Sequence, residues 1–205
     1  MFLLRVLLVF ACFVSTASAK PAPLLVLGDS LSAAYGIALQ DGWVALLDRR
    51  LQASPAPRAV VNASISGETT AGGLARLPAL LAEHKPALVV VELGANDGLR
   101  GLPLSEARAN LARMLTAIRA ANAKAVLIGI ELPVNYGPQY RDGLRSMYRG
   151  LAEEFNAPLL PFLLDGIALD PELMQDDGLH PTAKGQPKVL ENVWAVLEPV
   201  VRRLP

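Results

Sequence analysis

The chain has 205 residues, 52% of them hydrophobic, and its 19 Lys and Arg are balanced by 19 Asp and Glu, so the formal net charge at pH 7 is zero. That length suits one domain with a substantial core. The balance offers neither the basic patch of a nucleic-acid binder nor an acidic tail, and one cysteine excludes a disulfide framework.

The first 19 residues read as a cleavable signal peptide. Arg5 supplies a positive start, Val6 to Val14 an unbroken apolar stretch, and Ala17-Ser18-Ala19 a small-residue cleavage pattern before Lys20. The stretch falls short of the ~20 residues that a membrane-spanning helix needs, so no stable membrane anchor is expected. Val9-Phe10-Ala11-Cys12 faintly matches a lipoprotein cleavage box, but the bulky Phe10 and its place inside the apolar stretch argue against lipidation. Removing 19 of 205 residues leaves 186, a single domain over 20–205 without a thiol. The expectation is a monomer, periplasmic or secreted.

From Pro23 onward, apolar runs alternate with segments of helical period. Leu24–Leu27, Val60–Val61 with its neighbours, Ala87–Val91, Ala125–Ile130 and Pro158–Phe162 read as strands. Most are continuous rather than alternating, as in strands covered on both faces of a parallel sheet. Residues 42–53, 70–82 and 139–155 have weaker helical patterns. Leu104, Ala107, Leu111, Met114, Leu115 and Ile118 recur at three- and four-residue steps, with Ser105 as the N-cap. Val189, Leu190, Val193, Trp194, Leu197, Val200 and Val201 form a second stripe, and Trp43 and Trp194 read as core residues. Alternating β and α elements imply a doubly wound α/β domain with helices on both faces.

The polar punctuation follows this map. Ser30 follows the first strand in L-L-V-L-G-D-S-L-S, where Gly28 lets the backbone bend and Asp29 braces the turn. Gly67 follows the second in I-S-G, Asn96 the third in L-G-A-N-D, and Asp177 and His180 the fifth in D-D-G-L-H-P. Open parallel sheets bind ligands outside the carboxyl ends of their strands, so all four motifs fall on one edge.

Acyl transfer needs a nucleophile, a base touching it, a group orienting the base, and donors for the developing oxyanion. Ser30 supplies a hydroxyl, which is weak until a neutral imidazole removes its proton. His84, in A-E-H-K-P, belongs to the opposite edge and reads as a solvated histidine. His180 precedes Pro181, which disfavours helical backbone and presents the ring from an extended loop. Asp177 stands three residues earlier across Gly178, a spacing that lets one tight turn return its carboxylate to the imidazole, with Asp176 a competitor for that role. The N–H groups of Ser30 and Gly67 and the amide of Asn96 are candidate oxyanion donors at the strand ends, where each such donor is worth about 3 kcal/mol. Taken singly, Gly67 and Asn96-Asp97-Gly98 are ordinary turns.

In that order, G-D-S-L-S, the glycine of I-S-G-E-T-T, G-A-N-D-G and D-G-L-H-P resemble the four blocks of the SGNH (GDSL) hydrolases, in particular the exported bacterial acyl-CoA thioesterase, lysophospholipase and arylesterase group. The resemblance spans nearly the whole chain beyond the leader. It implies a flavodoxin-like three-layer α/β/α sandwich with a central parallel sheet of about five strands. It also implies a Ser30, Asp177, His180 triad and an oxyanion hole of Ser30, Gly67 and Asn96. By the same resemblance Leu99–Leu104 and Pro133–Tyr140 border an acyl-chain groove, with Leu99, Leu102, Leu104, Tyr136 and Tyr140 as its candidate contacts.

No G-x-S-x-G elbow occurs, and neither H-E-x-x-H nor a nucleotide-cradling glycine motif is present, so no metal and no cofactor are expected. The expected partner is a small-molecule acyl ester or thioester. The rival readings are a non-catalytic exported lipid- or sugar-binding domain and a phosphate-handling domain using Mg²⁺, for which the acids are too scattered. Because the base must be neutral, hydrolysis is expected to fall as pH drops through about 6 to 7, and a rate that stays flat to about pH 5 would exclude His180 as the base.

Overall fold

Strands that lack polar alternation are stable only when both faces are covered, and the chain meets that demand with one sheet between two helical layers. The computed structural model describes residues 21–205; the leader and Cys12 lie outside them. In chain order the elements are β1 (Leu24–Gly28), α1 (Trp43–Gln52), β2 (Val60–Asn62), α2 (Thr70–His84), β3 (Leu88–Glu92), the one-turn α3 (Ala95–Leu99), α4 (Leu104–Ala120), β4 (Lys124–Ile128), α5 (Pro138–Phe155), β5 (Leu159–Leu160) and α6 (Gln186–Val201).

The five strands are all parallel in the order β2-β1-β3-β4-β5. This is the flavodoxin-like order, with its topological switch between β1 and β3. Helices α1 and α6 pack together over one face, and α2, α4 and α5 over the other, giving the three layers. Both central strands, β1 and β3, are buried along their whole length. The edge strands β2 and β5 are short and only partly buried. Among the described residues, no helix is long and apolar enough to cross a membrane.

Local details depart from the sequence pattern for identifiable reasons. Helix α4 starts at Leu104 after Pro103 and has no side-chain cap, so Ser105 lies inside the first turn instead of capping it. Residues 96–98 are not a simple turn but the body of α3, which Gly94 admits by breaking away from β3 at φ +121°. Strand β5 is two residues long, because Pro161 has no N–H with which to continue the ladder. Helix α6 begins three residues before its apolar stripe. Its buried Gln186 accepts the Trp43 N–H at 2.8 Å, satisfying one of the free donors at the start of α1. Trp43 is a core residue, whereas Trp194 is only half-buried, with the Arg50 guanidinium 5.1 Å from its ring centroid.

Gly129 controls the path from β4 into the loop that walls the active-site groove. Its N–H donates to the Leu160 carbonyl at 2.7 Å, and its own carbonyl accepts from Leu163 at 3.0 Å. A Cβ at this position would lie 2.5 Å from the Pro161 carbonyl oxygen, backbone that cannot swing aside. Gly129→Ala is therefore expected to destabilise the fold by about 1–3 kcal/mol, read as a lower urea midpoint with an unchanged slope.

Candidate active site

The first part of the site is a tight turn at the end of β1. The Asp29 carbonyl accepts from the N–H groups of Ser32 at 3.2 Å and Ala33 at 2.9 Å, lifting Ser30 to the carboxyl edge. The Asp29 side chain turns inward and is fully buried. Its Oδ1 accepts the Leu31 N–H and its Oδ2 accepts from Asn96 Nδ2, both at 3.0 Å. Gly28 is required for a reason other than bending, since its φ is not positive. A Cβ there would lie 2.8 Å from Glu92 Oε2 and equally close to Ser32 Oγ, so a carboxyl group packs where a side chain would stand.

The second part is the loop over 175–181. Gly178 takes φ +65°, a conformation that folds the loop tightly. Asp177 Oδ1 accepts the N–H groups of Leu179 at 2.9 Å and His180 at 3.0 Å, while its Oδ2 lies 2.7 Å from His180 Nδ1. The opposite ring nitrogen, Nε2, lies 2.8 Å from Ser30 Oγ. Residues 150 positions apart thus form one continuous line, Asp177–His180–Ser30. Asp177, not Asp176, meets the imidazole. Burial opposes ionisation of Asp177, but the Leu179 N–H, the His180 ring and the His180 N–H together hold its carboxyl below the ordinary value. His84 ends α2, ahead of β3, and among the described residues pairs with Glu83 alone, at 3.8 Å.

The third part is the corner where the three candidate oxyanion donors meet. Ser30, Gly67, Asn96 and His180 all line one cavity of about 280 Å³. Among the described residues, the N–H groups of Ser30 and Gly67 donate to no protein acceptor. Asn96 Nδ2 donates to Asp29 and, also at 3.0 Å, to the Glu68 carbonyl. Beneath it, buried Asp97 accepts the Thr70 N–H at 2.8 Å and the Thr70 hydroxyl at 2.6 Å, tying α3 to the start of α2. Arg100 donates to the Gly67 carbonyl at 2.8 Å.

Beyond these polar groups the cavity is walled by Leu31, Leu99, Ile130, Leu132, Phe162 and Leu164, apolar side chains of a kind that suits an acyl chain. Of the five groove candidates, Leu99 lines it. Leu104, Tyr136 and Tyr140 border a separate shallow depression, and Leu102 is exposed. The two tyrosines act from behind: Tyr136 donates to the Leu99 carbonyl at 2.9 Å and Tyr140 to the Leu102 carbonyl at 2.7 Å. Among the described residues, no group of three or more His, Cys, Asp or Glu is arranged to hold a metal ion.

Sequence reasoning missed four residues here. Glu92 carries no signal beyond being an acid at the end of a buried strand, and Asp97 none beyond being an acid in the turn-like segment after it. Tyr35 places its ring 4.5 Å from the His180 ring, centroid to centroid. Gln175 donates from Nε2 to the carbonyls of Tyr35 at 2.9 Å and Pro181 at 3.0 Å, clasping the nucleophile loop to the histidine loop. Their roles depend on contacts between distant segments.

The model of the GDSL-like lipase/acylhydrolase family matches residues 26–187. The chain is 50% identical over 201 residues to the esterase TesA of Pseudomonas aeruginosa, covering 97% of this chain and 100% of that protein. It is 46% identical over 200 residues to the thioesterase 1/protease 1/lysophospholipase L1 of Escherichia coli K12, covering 98% of this chain and 92% of the relative. Among solved structures, the psychrotrophic esterase EstA of a Pseudoalteromonas species, inhibited by monoethylphosphonate, superposes with a TM-score of 0.84 at 42% identity over 89% of this chain and 100% of that one.

The burial of Asp29 has a measurable consequence. Burial lifts its pKa from 3.8 to about 6, against the opposing pull of the Leu31 N–H, the neighbouring His180 and the Asn96 amide. A carboxyl raised in the folded state contributes stability that is complete below pH about 4 and lost as pH rises through about 6, about 3 kcal/mol in all. The melting temperature of Asp29→Asn relative to wild type is therefore expected to rise between about pH 4 and pH 7. Its kcat is expected to fall, because Asn96 loses a charged acceptor.

Proposed function

The chain belongs to the GDSL-like lipase/acylhydrolase family, and from that premise we propose that Ser30, His180 and Asp177 hydrolyse carboxylic esters and thioesters in two acyl-transfer steps. Family membership makes the protein a serine hydrolase. What supports these roles for the three residues is the unbroken hydrogen-bonded line from Asp177 through His180 to Ser30 at the mouth of an apolar cavity. A domain that only sequestered a lipid or sugar would have no use for that line.

In the first step Ser30 Oγ attacks the acyl carbon as His180 Nε2 takes its proton. Asp177 holds the ring by Nδ1 and stabilises the imidazolium that forms. The carbonyl oxygen becomes an oxyanion facing the Ser30 and Gly67 N–H groups and the Asn96 amide. There it competes with the neutral Glu68 carbonyl for one Nδ2 hydrogen and wins on charge. The intermediate collapses, His180 returns the proton to the departing alcohol or thiol, and the acyl group remains on Ser30 as an ester. Water then attacks that ester with His180 as its base, releasing the carboxylic acid and restoring the serine.

The names of the relatives support acyl thioesters, simple esters and lysophospholipid-type esters as substrates, and aryl esters are proposed beside them, with the acyl chain on the Leu31, Leu99 and Phe162 wall. We further propose that the protein acts as a monomer after export to the periplasm or beyond, with residues 1–19 as its signal peptide.

A fluorophosphonate probe is expected to label wild type and not Ser30→Ala, and short p-nitrophenyl esters are expected to be hydrolysed without added metal. Labelling that survives Ser30→Ala would overturn this reading. Asn96→Ala is expected to lower kcat by about 100-fold or more, the cost of one oxyanion donor, with a smaller change in KM.

A further inference from the structure

Beneath the nucleophile lies an acid that the two acyl-transfer steps do not use. Glu92 ends β3 directly opposite Gly28 in the β1–β3 ladder and is fully buried. Its Oε2 accepts the Ser32 hydroxyl at 2.7 Å and the Asp29 N–H at 3.3 Å. Both hydrogen bonds go to the turn that carries Ser30. Its other oxygen, Oε1, is also buried and meets no hydrogen-bond partner among the described residues. We propose that Glu92 is a positioning residue for hydrolysis: as a neutral carboxylic acid it holds the turn from Asp29 to Ser32, and through Asp29 it aligns the Asn96 amide.

The neutral form follows from the surroundings. The groups that face the pair are Ser32 from the same turn, Asn96 from α3, His180 across Asp29, and the hydroxyl of Tyr148 from α5, which donates to the Leu93 carbonyl at 2.8 Å. Among the described residues, no Lys, Arg or His forms an ion pair with Glu92 or Asp29. Two adjacent buried carboxyls without a cation cannot both be ionised. Asp29 has the donors that suit a carboxylate, namely the Leu31 N–H and the Asn96 amide. Glu92 has a bare oxygen, and leaving a neutral oxygen bare costs far less than leaving a charged one. Burial, reinforced by the Asp29 charge, lifts the Glu92 carboxyl well above its ordinary value.

The chain of contacts then reads outward. Glu92 fixes the Asp29 backbone and Ser32, Asp29 fixes Asn96, and Asn96 faces the oxyanion. Gly28 belongs to the same device, because any side chain there would displace the Glu92 carboxyl.

This inference rests on Ser30 as the nucleophile, and the test separates the two. Wild type, Glu92→Gln, Glu92→Ala and Ser32→Ala are compared by kcat and KM on p-nitrophenyl butyrate, by the rate of fluorophosphonate labelling, by the acid limb of kcat/KM and by melting temperature. Glu92→Gln, isosteric with a neutral acid, is expected to keep kcat within about threefold with an unmoved acid limb. Glu92→Ala is expected to lower kcat about 10- to 100-fold with little change in KM, and labelling is expected to slow in parallel, as for a displaced nucleophile. A Glu92→Gln loss equal to that of Glu92→Ala, or a Glu92→Ala enzyme with wild-type kcat, overturns the proposal. Should Glu92→Ala fail to fold, Ser32→Ala decides: a several-fold fall in kcat at constant KM supports the proposal, and an unchanged kcat ends it. Wild type that resists labelling overturns the Ser30 reading itself, and this inference with it.

Discussion

The register between β1 and β3 is the constraint on which the site depends. Leu24 to Gly28 pair in sequence with Leu88 to Glu92, and every residue of both strands is buried. A slip by one residue would turn each side chain to the opposite face, so the pairing is fixed by packing on both sides at once. It places Gly28 against Glu92 at the point where both strands stop. The Ser30 turn and the Asn96 helix therefore start from one level and remain joined by the bond from Asn96 to Asp29.

Two aspartates divide the work by their surroundings. Asp29 is sealed beneath the turn, where burial raises its carboxyl to about 6. Asp177 stands at the surface, where its bonds from Leu179 and His180 hold it below the ordinary value. The first orients an amide and the second an imidazole. The same side-chain type serves the proposed oxyanion donor Asn96 and the proposed base His180 because one is dry and the other wet.

The strand assignments were legible because β1 and β3 bear unbroken apolar runs, which only a sheet covered on both faces accommodates. The long helices showed in their periodicity. Ends were less legible: α4 begins after Pro103 without a cap, and α3 needed the positive φ of Gly94, which no periodicity announces. Tyr136 and Tyr140 were groove candidates because the family resemblance puts their loop beside the acyl chain. Their hydroxyls instead seek the free carbonyls of Leu99 and Leu102. Gly28 likewise looked like a hinge, and its true neighbour is 64 residues away in the chain.

By itself the sequence determined the alternation of elements and the edge on which the polar motifs gather, which follow from periodicity and spacing, local properties of a chain; it offered Ser30, Gly67, Asn96, His180 and one of two aspartates as candidates through the four blocks that resemble a known family. Only the tertiary structure decided that Asp177 rather than Asp176 meets the imidazole, that Gln175 clasps the two loops, and that Glu92 lies under the turn that carries Ser30. Each of these is a contact between segments distant in the chain or a turn of loop backbone. Such contacts depend on strand register and loop closure, and neither is written in the order of residues within one segment.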